Sequence, residues 1–477
     1  MTINNLKFNQ IRVWRSKSRL VKRKADTARW VITAGVLLGN LAAMAQREGL
    51  QQRTLKQFTQ DPALKFAGWS LVVQEAGTGR VLVDRQGNLG LPAASTQKIF
   101  TSIAGYDLLG KTFRYETSLR TMGNSTAGDI ECIGSGDPSF GSFRFSDGRP
   151  AQVLASMATA LGKAGINRVG NITVRASYWN DGIPDGWIWQ DMGNYYGAGA
   201  YQFNWRENQF DVVLNSGTQM GSAVSISKTD PVLTDVVLTS AVTAAAPGSG
   251  DNSFIYLPPG AKAGIIKGTI PVNEKSFSIA GALPDPAKQF AFELKNFLQQ
   301  NQTATENKSN LTPGTLIWKQ ESAPYDSLNY RFLRKSINLY GEAFLKTMGE
   351  KTRQEGSTEA GVATLKAFWQ ERGIDSNALQ IIDGSGLSPQ NRITANALVA
   401  ALQYAAKQPW YPSFYQALPT YNGMKLKSGS IGGSRAFAGY HEAANGKKYV
   451  IAIIVNNYSC SSKQVVQKIF ALLDAWK

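Results

Sequence analysis

The chain has 477 residues, of which 43% are hydrophobic, and a formal net charge of +17. This length predicts roughly three domains of about 150 residues each, and the composition is typical of a globular protein rather than of a disordered chain. One histidine, His441, and two cysteines, Cys132 and Cys460, exclude a disulfide framework and argue against a structural zinc site; whether the cysteines pair stays open.

The N-terminal segment predicts export. Residues 1–29 carry nine basic residues and one acidic residue, and a mostly apolar run from Trp30 to Ala45 ends in Ala43-Met44-Ala45. These features are typical of a secretory signal peptide. A retained membrane anchor is the alternative, but it needs roughly 20 apolar residues. We expect residues 1–45 to be cleaved, and the protein to lie in the periplasm or on the cell-wall side of the cytoplasmic membrane.

Without residues 1–29 the net charge falls from +17 to +9. A moderately basic exported protein suits peripheral contact with a membrane or an anionic wall polymer. Nucleic acid is not expected as a partner, since the sequence contains no recognition-helix or stacking motif and export argues against it.

After the leader, the pattern of residues 68–90 predicts a two-stranded hairpin, and a helix is expected to begin near Ser95 and to end by Gly110. Short strands, glycines and aromatic residues dominate from about 113 to 312. Helical patterns are predicted at 285–300, 328–350, 356–372, 393–408 and 462–476. Consecutive antiparallel strands are predicted at 425–430, 437–442 and 448–456, with the turn Asn445-Gly446 between the last two.

The two ends of the chain therefore combine strands and helices, whereas short strands, glycines and aromatic residues dominate the middle. We predict one domain formed by residues 46–115 and 313–477, interrupted by an inserted β-rich region at 116–312.

The shortage of histidine limits the choice of a serine site. We expect His441 to be an exposed strand-end residue, so a serine nucleophile would use another base, and lysine is the known alternative. Ser95-Thr96-Gln97-Lys98 places a serine and a lysine at i and i+3 on one helix face. Burial and a nearby cation would lower the pKa of that lysine so that it can act as a base.

Two further motifs follow in order. Ser336-Ile337-Asn338 precedes a predicted helix, and Lys427-Ser428-Gly429 lies on a predicted strand. The set S-x-x-K, S-D-N and K-T-G is typical of penicillin-binding proteins and β-lactamases. We therefore predict Ser95, Lys98, Ser336, Asn338 and Lys427 as catalytic residues.

A P-loop pattern, residues 105–112, is rejected as a nucleotide site. A P-loop follows a strand and opens a helix, whereas here a helix is predicted before the glycines and a strand after them. No metal and no cofactor is expected.

Longer segments resemble one family. The stretches 91–98, 134–138, 186–191 and 383–388 are similar to segments of the class C penicillin-binding proteins, the D-alanyl-D-alanine carboxypeptidases of peptidase family S13. The resemblance implies an α+β fold, in which a catalytic domain like that of penicillin-binding proteins and β-lactamases, an antiparallel sheet flanked by helices, is interrupted by a large β-rich insertion. It also implies hydrolysis of peptidoglycan stem peptides that end in D-Ala-D-Ala, as carboxypeptidase and possibly endopeptidase, and inhibition by β-lactam antibiotics.

The resemblance assigns roles to residues. Ser95 attacks the carbonyl carbon between the two D-alanines and Lys98 takes its proton, while Ser336 relays a proton to the leaving group. The N–H groups of Ser95 and Ser430 form the oxyanion hole. The substrate-binding residues implied are Ser428, Gly429, Ser430, Asp191 and Tyr196.

Two positions depart from the family pattern. Lys427-Ser428-Gly429 has serine where threonine is commoner, which keeps the hydroxyl. Pro389 stands where an arginine usually follows the segment 383–388, so the preference for the third stem residue stays open. A β-lactamase, and a non-catalytic wall-binding or β-lactam-sensing protein on the same fold, are the alternatives.

Overall fold

The computed structural model describes residues 49–122, 128–175, 179, 182–301 and 311–477. The α-helices are α1 (49–59), α2 (Lys98–Leu108), α3 (Pro150–Lys163), α4 (Trp189–Met192), α5 (Pro286–Asn301), α6 (Tyr325–Lys335), α7 (Asn338–Arg353), α8 (Thr358–Gln370), α9 (Ala395–Ala405), α10 (Tyr411–Ala417) and α11 (Ser462–Leu473). The predicted leader, residues 1–45, lies outside the described residues. Among those that are described, no helix is long and apolar enough to cross a membrane.

The strands in the described part of the chain belong to five sheets. In chain order they are β1 (Gly68–Glu75), β2 (Val81–Arg85), β3 (Glu116–Thr121), β4 (Ile130–Gly134), β5 (Ile172–Arg175), β6 (Gln209–Asn215), β7 (Ser225–Asp230), β8 (Val237–Ala245), β9 (Asn252–Tyr256), β10 (Ala263–Pro271), β11 (Phe277–Ala282), β12 (Leu316–Glu321), β13 (Leu379–Gln380), β14 (Arg392–Ile393), β15 (Thr420–Tyr421), β16 (Met424–Ile431), β17 (Ser434–Glu442) and β18 (Lys448–Asn456).

The chain forms two compact units. The first contains residues 1–65 and 460–477, and its described part includes α1 and α11, where the Lys468 amino group pairs with the Asp61 carboxylate. The second unit contains residues 66–459 and the strands β1 to β18 named above, which all lie in the described part of the chain.

An antiparallel sheet in the second unit has the strand order β15-β16-β17-β18-β1-β2. The first and last parts of the chain meet in it, because β1 pairs with β18 from Gly68↔Asn456 to Glu75↔Tyr449. Apolar residues of this sheet share one core with α2, α6, α7, α8 and α9. This arrangement confirms the predicted antiparallel sheet with flanking helices.

Among the described residues of the middle of the chain, two further groups of buried apolar side chains form cores. One lies between the sheet β12-β3-β4-β5 and the helices α3 and α5. The other is formed by two three-stranded sheets, β11-β6-β7 and β8-β10-β9. The β-rich character predicted for this region is confirmed. Its division at 116 and 312 stays a prediction, and β12, beyond residue 312, pairs with β3.

Several sequence predictions are confirmed at the level of single elements. The hairpin at 68–90 is β1 and β2, and the three late strands are β16, β17 and β18. Gly446 has φ +77°, which is the left-handed conformation that its turn requires.

One expectation was wrong and one helix was missed. Helix α3 was not predicted, although Val153, Met157 and Leu161 are buried along one side of it. Within the helical pattern at 328–350, α6 and α7 are separated at Ser336, whose φ is +58°, and α7 begins at Asn338, which confirms that this motif precedes a helix. His441 is 8% exposed rather than a surface residue, and its ring lies 6.5 Å from that of Tyr449.

Strand β16 packs directly on the short 3-10 helix Ala94–Gln97, which carries Ser95. A Cβ atom added to Gly429 would lie 2.2 Å from the Ala93 carbonyl oxygen and 3.1 Å from the Thr96 nitrogen. Only glycine allows this approach, because no real Cβ atom tolerates such a contact with backbone. Gly429 therefore determines how closely β16 approaches Ser95.

We expect Gly429→Ala to lower the free energy of unfolding by about 1–3 kcal/mol, the range typical of overpacking, because β16 and the turn must separate. Gly432→Ala is the matched control, since nothing lies within 4 Å of its added Cβ. Thermal unfolding of both variants tests this expectation, and equal unfolding midpoints would contradict it.

Candidate active site

Ser95 lies at the end of a strained turn. Ala94, just before it, has φ +47°, a left-handed conformation that costs a non-glycine residue about 1–2 kcal/mol. Gly386 fits closely against this turn, since a Cβ there would lie 2.1 Å from the Ala94 carbonyl oxygen. The 3-10 helix then continues into α2, which begins at Lys98. Ser95 and Lys98 thus lie one turn apart, as predicted.

The Lys98 amino group contacts three oxygen atoms. Its Nζ lies 2.9 Å from Ser95 Oγ, 2.6 Å from Asn338 Oδ1 and 2.7 Å from the Ser385 carbonyl oxygen. The amide and the carbonyl oxygen can only accept hydrogen bonds. A neutral amine would use its two N–H bonds on these acceptors, so its lone pair would face the Ser95 hydroxyl. This geometry suits a base that removes the Ser95 proton.

A second hydrogen bond fixes the orientation of Asn338. Its Nδ2 donates to the Tyr196 carbonyl oxygen at 2.7 Å. Because a carbonyl oxygen accepts only from the NH₂ end of an amide, Oδ1 must be the atom that faces Lys98. The inserted region, which carries Tyr196, therefore orients a residue of the site.

Burial lowers the pKa of Lys98 to about 7. The side chain is fully buried, and a charged ammonium group loses its hydration there. The carboxyl groups of Asp383 and Glu342 act in the opposite direction and raise the pKa, but they do not outweigh burial. A pKa close to 7 leaves about half of the lysine neutral at neutral pH.

A second buried lysine lies beside the first. Lys427 Nζ donates to Ser336 Oγ at 2.9 Å and to the Ser428 carbonyl oxygen at 2.8 Å. Burial holds its pKa well below the usual range, and the charge of Lys98 lowers it further. Ser336 is placed for this contact by its left-handed backbone between α6 and α7. The structure thus brings all five predicted catalytic residues together.

The free edge of β16 borders the site. The Leu426 N–H donates to the Pro419 carbonyl oxygen at 3.0 Å, on the side away from β17. Since the backbone groups of a strand alternate between its two edges, the N–H groups of Ser428 and Ser430 point to the same side as that of Leu426. Strand β15 pairs only with Lys425 and Met424. The Ser428 hydroxyl donates to Tyr421 Oη at 3.1 Å.

The predicted side-chain pocket has a half-buried carboxyl group. Burial raises the pKa of Asp191, and the Tyr196 hydroxyl partly offsets this by hydrogen bonding. Pro389 is exposed, and its carbonyl oxygen accepts a 2.6 Å hydrogen bond from Arg392 Nη1. The Asp191–Tyr196 contact brings together the two residues that the family resemblance implied.

Sequence reasoning missed the hydrogen-bonding role of the segment 383–388. The Asp383 carboxylate accepts hydrogen bonds from five donors, contributed by Gln97, Trp187, Gly386, Ser388 and Asn391. Gln97 belongs to the nucleophile motif and Trp187 to the inserted region. Asp383 therefore links three parts of the chain around Ser385, the residue whose carbonyl holds Lys98. The two glycines of this segment indicated a close backbone approach, but the sequence did not show which residues the segment contacts.

Among the described residues, no group of three or more histidine, cysteine, aspartate or glutamate side chains could hold a metal ion. Cys132 and Cys460 are both free thiols. Gly105 of the rejected P-loop pattern lies inside α2, and β3 follows the pattern, as predicted.

Comparison with known sequences gives relatives that align over most of the chain. The protein is 24% identical to a D-alanyl-D-alanine carboxypeptidase of Actinomadura sp. (strain R39), over 91% of this chain and 87% of that one. It is 23% identical to the D-alanyl-D-alanine carboxypeptidase DacB of Haemophilus influenzae, over 81% of this chain and 85% of the relative.

Solved structures share the fold. Penicillin-binding protein 4 (dacB) of Haemophilus influenzae superimposes with a TM-score of 0.73 at 21% identity, covering 87% of this chain and 97% of that one. The same protein complexed with a β-lactam superimposes with a TM-score of 0.68 at 20% identity, covering 88% and 99%. The sequence model of the D-Ala-D-Ala carboxypeptidase 3 (S13) family matches residues 51–477, and the protein belongs to this family.

Proposed function

We propose that the protein is a serine D-alanyl-D-alanine carboxypeptidase that forms an acyl-enzyme on Ser95. The observation that carries this proposal is the placement of Lys98, whose two other partners accept hydrogen bonds and leave its lone pair for the Ser95 hydroxyl. As Ser95 Oγ attacks the carbonyl carbon between two D-alanines, its proton passes to Lys98. The N–H groups of Ser95 and Ser430 stabilise the oxyanion.

Collapse of the tetrahedral intermediate expels the terminal D-alanine, whose nitrogen needs a proton. The 2.9 Å contact between Lys427 and Ser336 supports a relay through the Ser336 hydroxyl. The Ser428 hydroxyl, on strand β16 beside the site, would hold the terminal carboxylate of the substrate. Water then hydrolyses the ester, and Ser95 recovers its proton.

The substrate would be a peptidoglycan stem peptide ending in D-Ala-D-Ala. A DD-endopeptidase activity on cross-links uses the same acylation step and belongs to the same proposal. β-Lactams would acylate Ser95 as substrate mimics, in line with the β-lactam complex of the Haemophilus influenzae relative. Such a substrate lies outside the cytoplasm, which agrees with the export predicted from residues 1–45 and with a location in the periplasm or on the cell-wall side of the membrane. Peripheral contact with a membrane or an anionic wall polymer remains part of the proposal.

Covalent labelling by a fluorescent penicillin tests the nucleophile. We expect Ser95→Ala to abolish the label, because it removes the hydroxyl that lies 2.9 Å from Lys98 Nζ, whereas Ser225→Ala on the exposed part of β7 should label like the wild type. No label on the folded wild type would contradict the proposal. Rapid turnover of nitrocefin would identify a β-lactamase instead, and labelling without release of D-alanine from a pentapeptide would identify a β-lactam-binding protein without peptidase activity.

The acylation rate should rise with pH through about 7, because Lys98 must lose its proton before it can accept that of Ser95. Below this pH the rate should fall about tenfold per pH unit. Lys98→Met keeps a similar volume without a base, and should acylate at least about 10²-fold more slowly at every pH. Stopped-flow acylation by a chromogenic β-lactam measures this, and an unchanged wild-type rate between about pH 5 and 7 would rule out Lys98 as the base.

Asp191 should determine selectivity for an amino group on the third stem residue. We expect Asp191→Asn to raise KM about tenfold for a lysine- or diaminopimelate-containing stem peptide, which corresponds to the loss of one charge-assisted hydrogen bond. A peptide with alanine at this position should not respond. Asp185→Asn is the matched control on an exposed neighbour, and an equal loss for both peptides would argue against the pocket.

A further inference from the structure

Tyr421 lies at the end of the short strand β15, beside the strand β16 that borders the site. It pairs with Met424 of β16 across the turn Asn422-Gly423. Both turn residues have a positive φ, +51° and +75°, as a two-residue type I′ hairpin requires. This turn therefore fixes the backbone of Tyr421 against β16.

The side chain of Tyr421 is held by its ring. The ring packs edge-on against that of Phe437, with the centroids 5.6 Å apart and an angle of 69° between the planes. Phe437 lies directly opposite Ser428 in the pairing of β17 with β16. Because residues that are paired in register point to the same face of a sheet, the contact with Phe437 brings the Tyr421 hydroxyl to Ser428.

The hydrogen bond between the two hydroxyl groups gives Ser428 a defined orientation. Ser428 Oγ donates to Tyr421 Oη at 3.1 Å, and both side chains are half-buried. A serine side chain can occupy any of three staggered rotamers. Threonine, the residue of the K-T-G motif at this position, is β-branched and therefore restricted at χ1. The contact with Tyr421 thus supplies to this serine the restriction that a threonine would have from its own branching.

We propose that Tyr421 is a positioning residue that acts through Ser428 on recognition of the substrate's terminal carboxylate. This inference rests on the proposed function, in which the Ser428 hydroxyl holds that carboxylate. A carboxylate can only accept hydrogen bonds, whereas a hydroxyl both donates and accepts. On binding, the Ser428 O–H turns to the carboxylate, and the Tyr421 O–H donates to Ser428 Oγ in its place. The result is a chain of hydrogen bonds in which each bond polarises the next.

The test compares kcat/KM for two stem pentapeptides, one that ends in D-alanine and one that ends in D-alaninamide, with the released product measured by mass spectrometry. Ser428→Ala removes a hydrogen bond to a charged group, so it should lower kcat/KM for the acid peptide about 10- to 100-fold. Tyr421→Phe keeps the ring and its contact with Phe437, and should lower the same value about three- to tenfold. For the amide peptide, which lacks the carboxylate, Tyr421→Phe should change kcat/KM by less than about twofold.

A double-mutant cycle shows whether Tyr421 acts through Ser428. In the Ser428→Ala background the partner of the Tyr421 hydroxyl is absent, so a further Tyr421→Phe should change kcat/KM for the acid peptide by less than about twofold. The two losses are then not additive. Tyr330→Phe is the matched control, because Tyr330 is exposed on α6, and it should keep the wild-type values for both peptides.

Three results would overturn the inference: wild-type kinetics of Tyr421→Phe, an equal loss on the acid and amide peptides, or the same loss with and without the Ser428 hydroxyl. The amide peptide also reports the folded fraction of each variant, since a folding defect would lower turnover of both peptides alike. A wild type that cleaves both peptides equally would overturn the inference and leave the peptidase activity standing. A wild type that releases no D-alanine and takes no penicillin label would instead contradict the proposed function.

Discussion

The three hydrogen bonds of the Lys98 amino group are the interaction on which the site depends. They join the nucleophile turn through Ser95, helix α7 through Asn338 and the segment 383–388 through Ser385. A neutral amine has two N–H bonds and one lone pair. Because two of the three oxygens can only accept hydrogen bonds, both N–H bonds point to them and the lone pair faces the Ser95 hydroxyl. Displacement of either acceptor would turn the lone pair away from Ser95, so the elements around Lys98 have to be held rigidly.

Rigidity comes from contacts that only glycine permits. Gly429 brings β16 against the nucleophile turn, Gly386 brings the segment 383–388 against the same turn, and Gly384 brings that segment against α7. Each contact places backbone against backbone and excludes water. Exclusion of water in turn lowers the pKa of Lys98, because the ammonium form loses its hydration. The glycine contacts around the nucleophile turn therefore account both for the close packing of the site and for the lowered pKa of Lys98.

The inserted region contributes to this arrangement. The Tyr196 carbonyl orients the Asn338 amide, and the Trp187 indole donates to Asp383 at 3.0 Å. Asp191 and Tyr196, the proposed side-chain pocket, lie in the same part of the chain as these two contacts. Contacts that orient the site and the residues of the proposed pocket therefore lie in one stretch of the chain, so this middle region takes part in the site.

The sequence by itself determined the pairing of Ser95 with Lys98, because residues at i and i+3 near a helix start share a face whatever surrounds them. It also predicted Ser336, Asn338 and Lys427, since their order and flanking patterns are recognisable. Only the tertiary structure showed that the Ser385 carbonyl contacts Lys98 and that the Asp383 carboxylate accepts five hydrogen bonds. It also showed how the Asn338 amide is oriented. Backbone carbonyls and N–H groups are the same in every residue, so their contacts depend on where the chain places them and leave no signal in residue type. The burial that lowers the pKa of Lys98 to about 7 has the same origin, because it requires elements distant in sequence to close around one side chain.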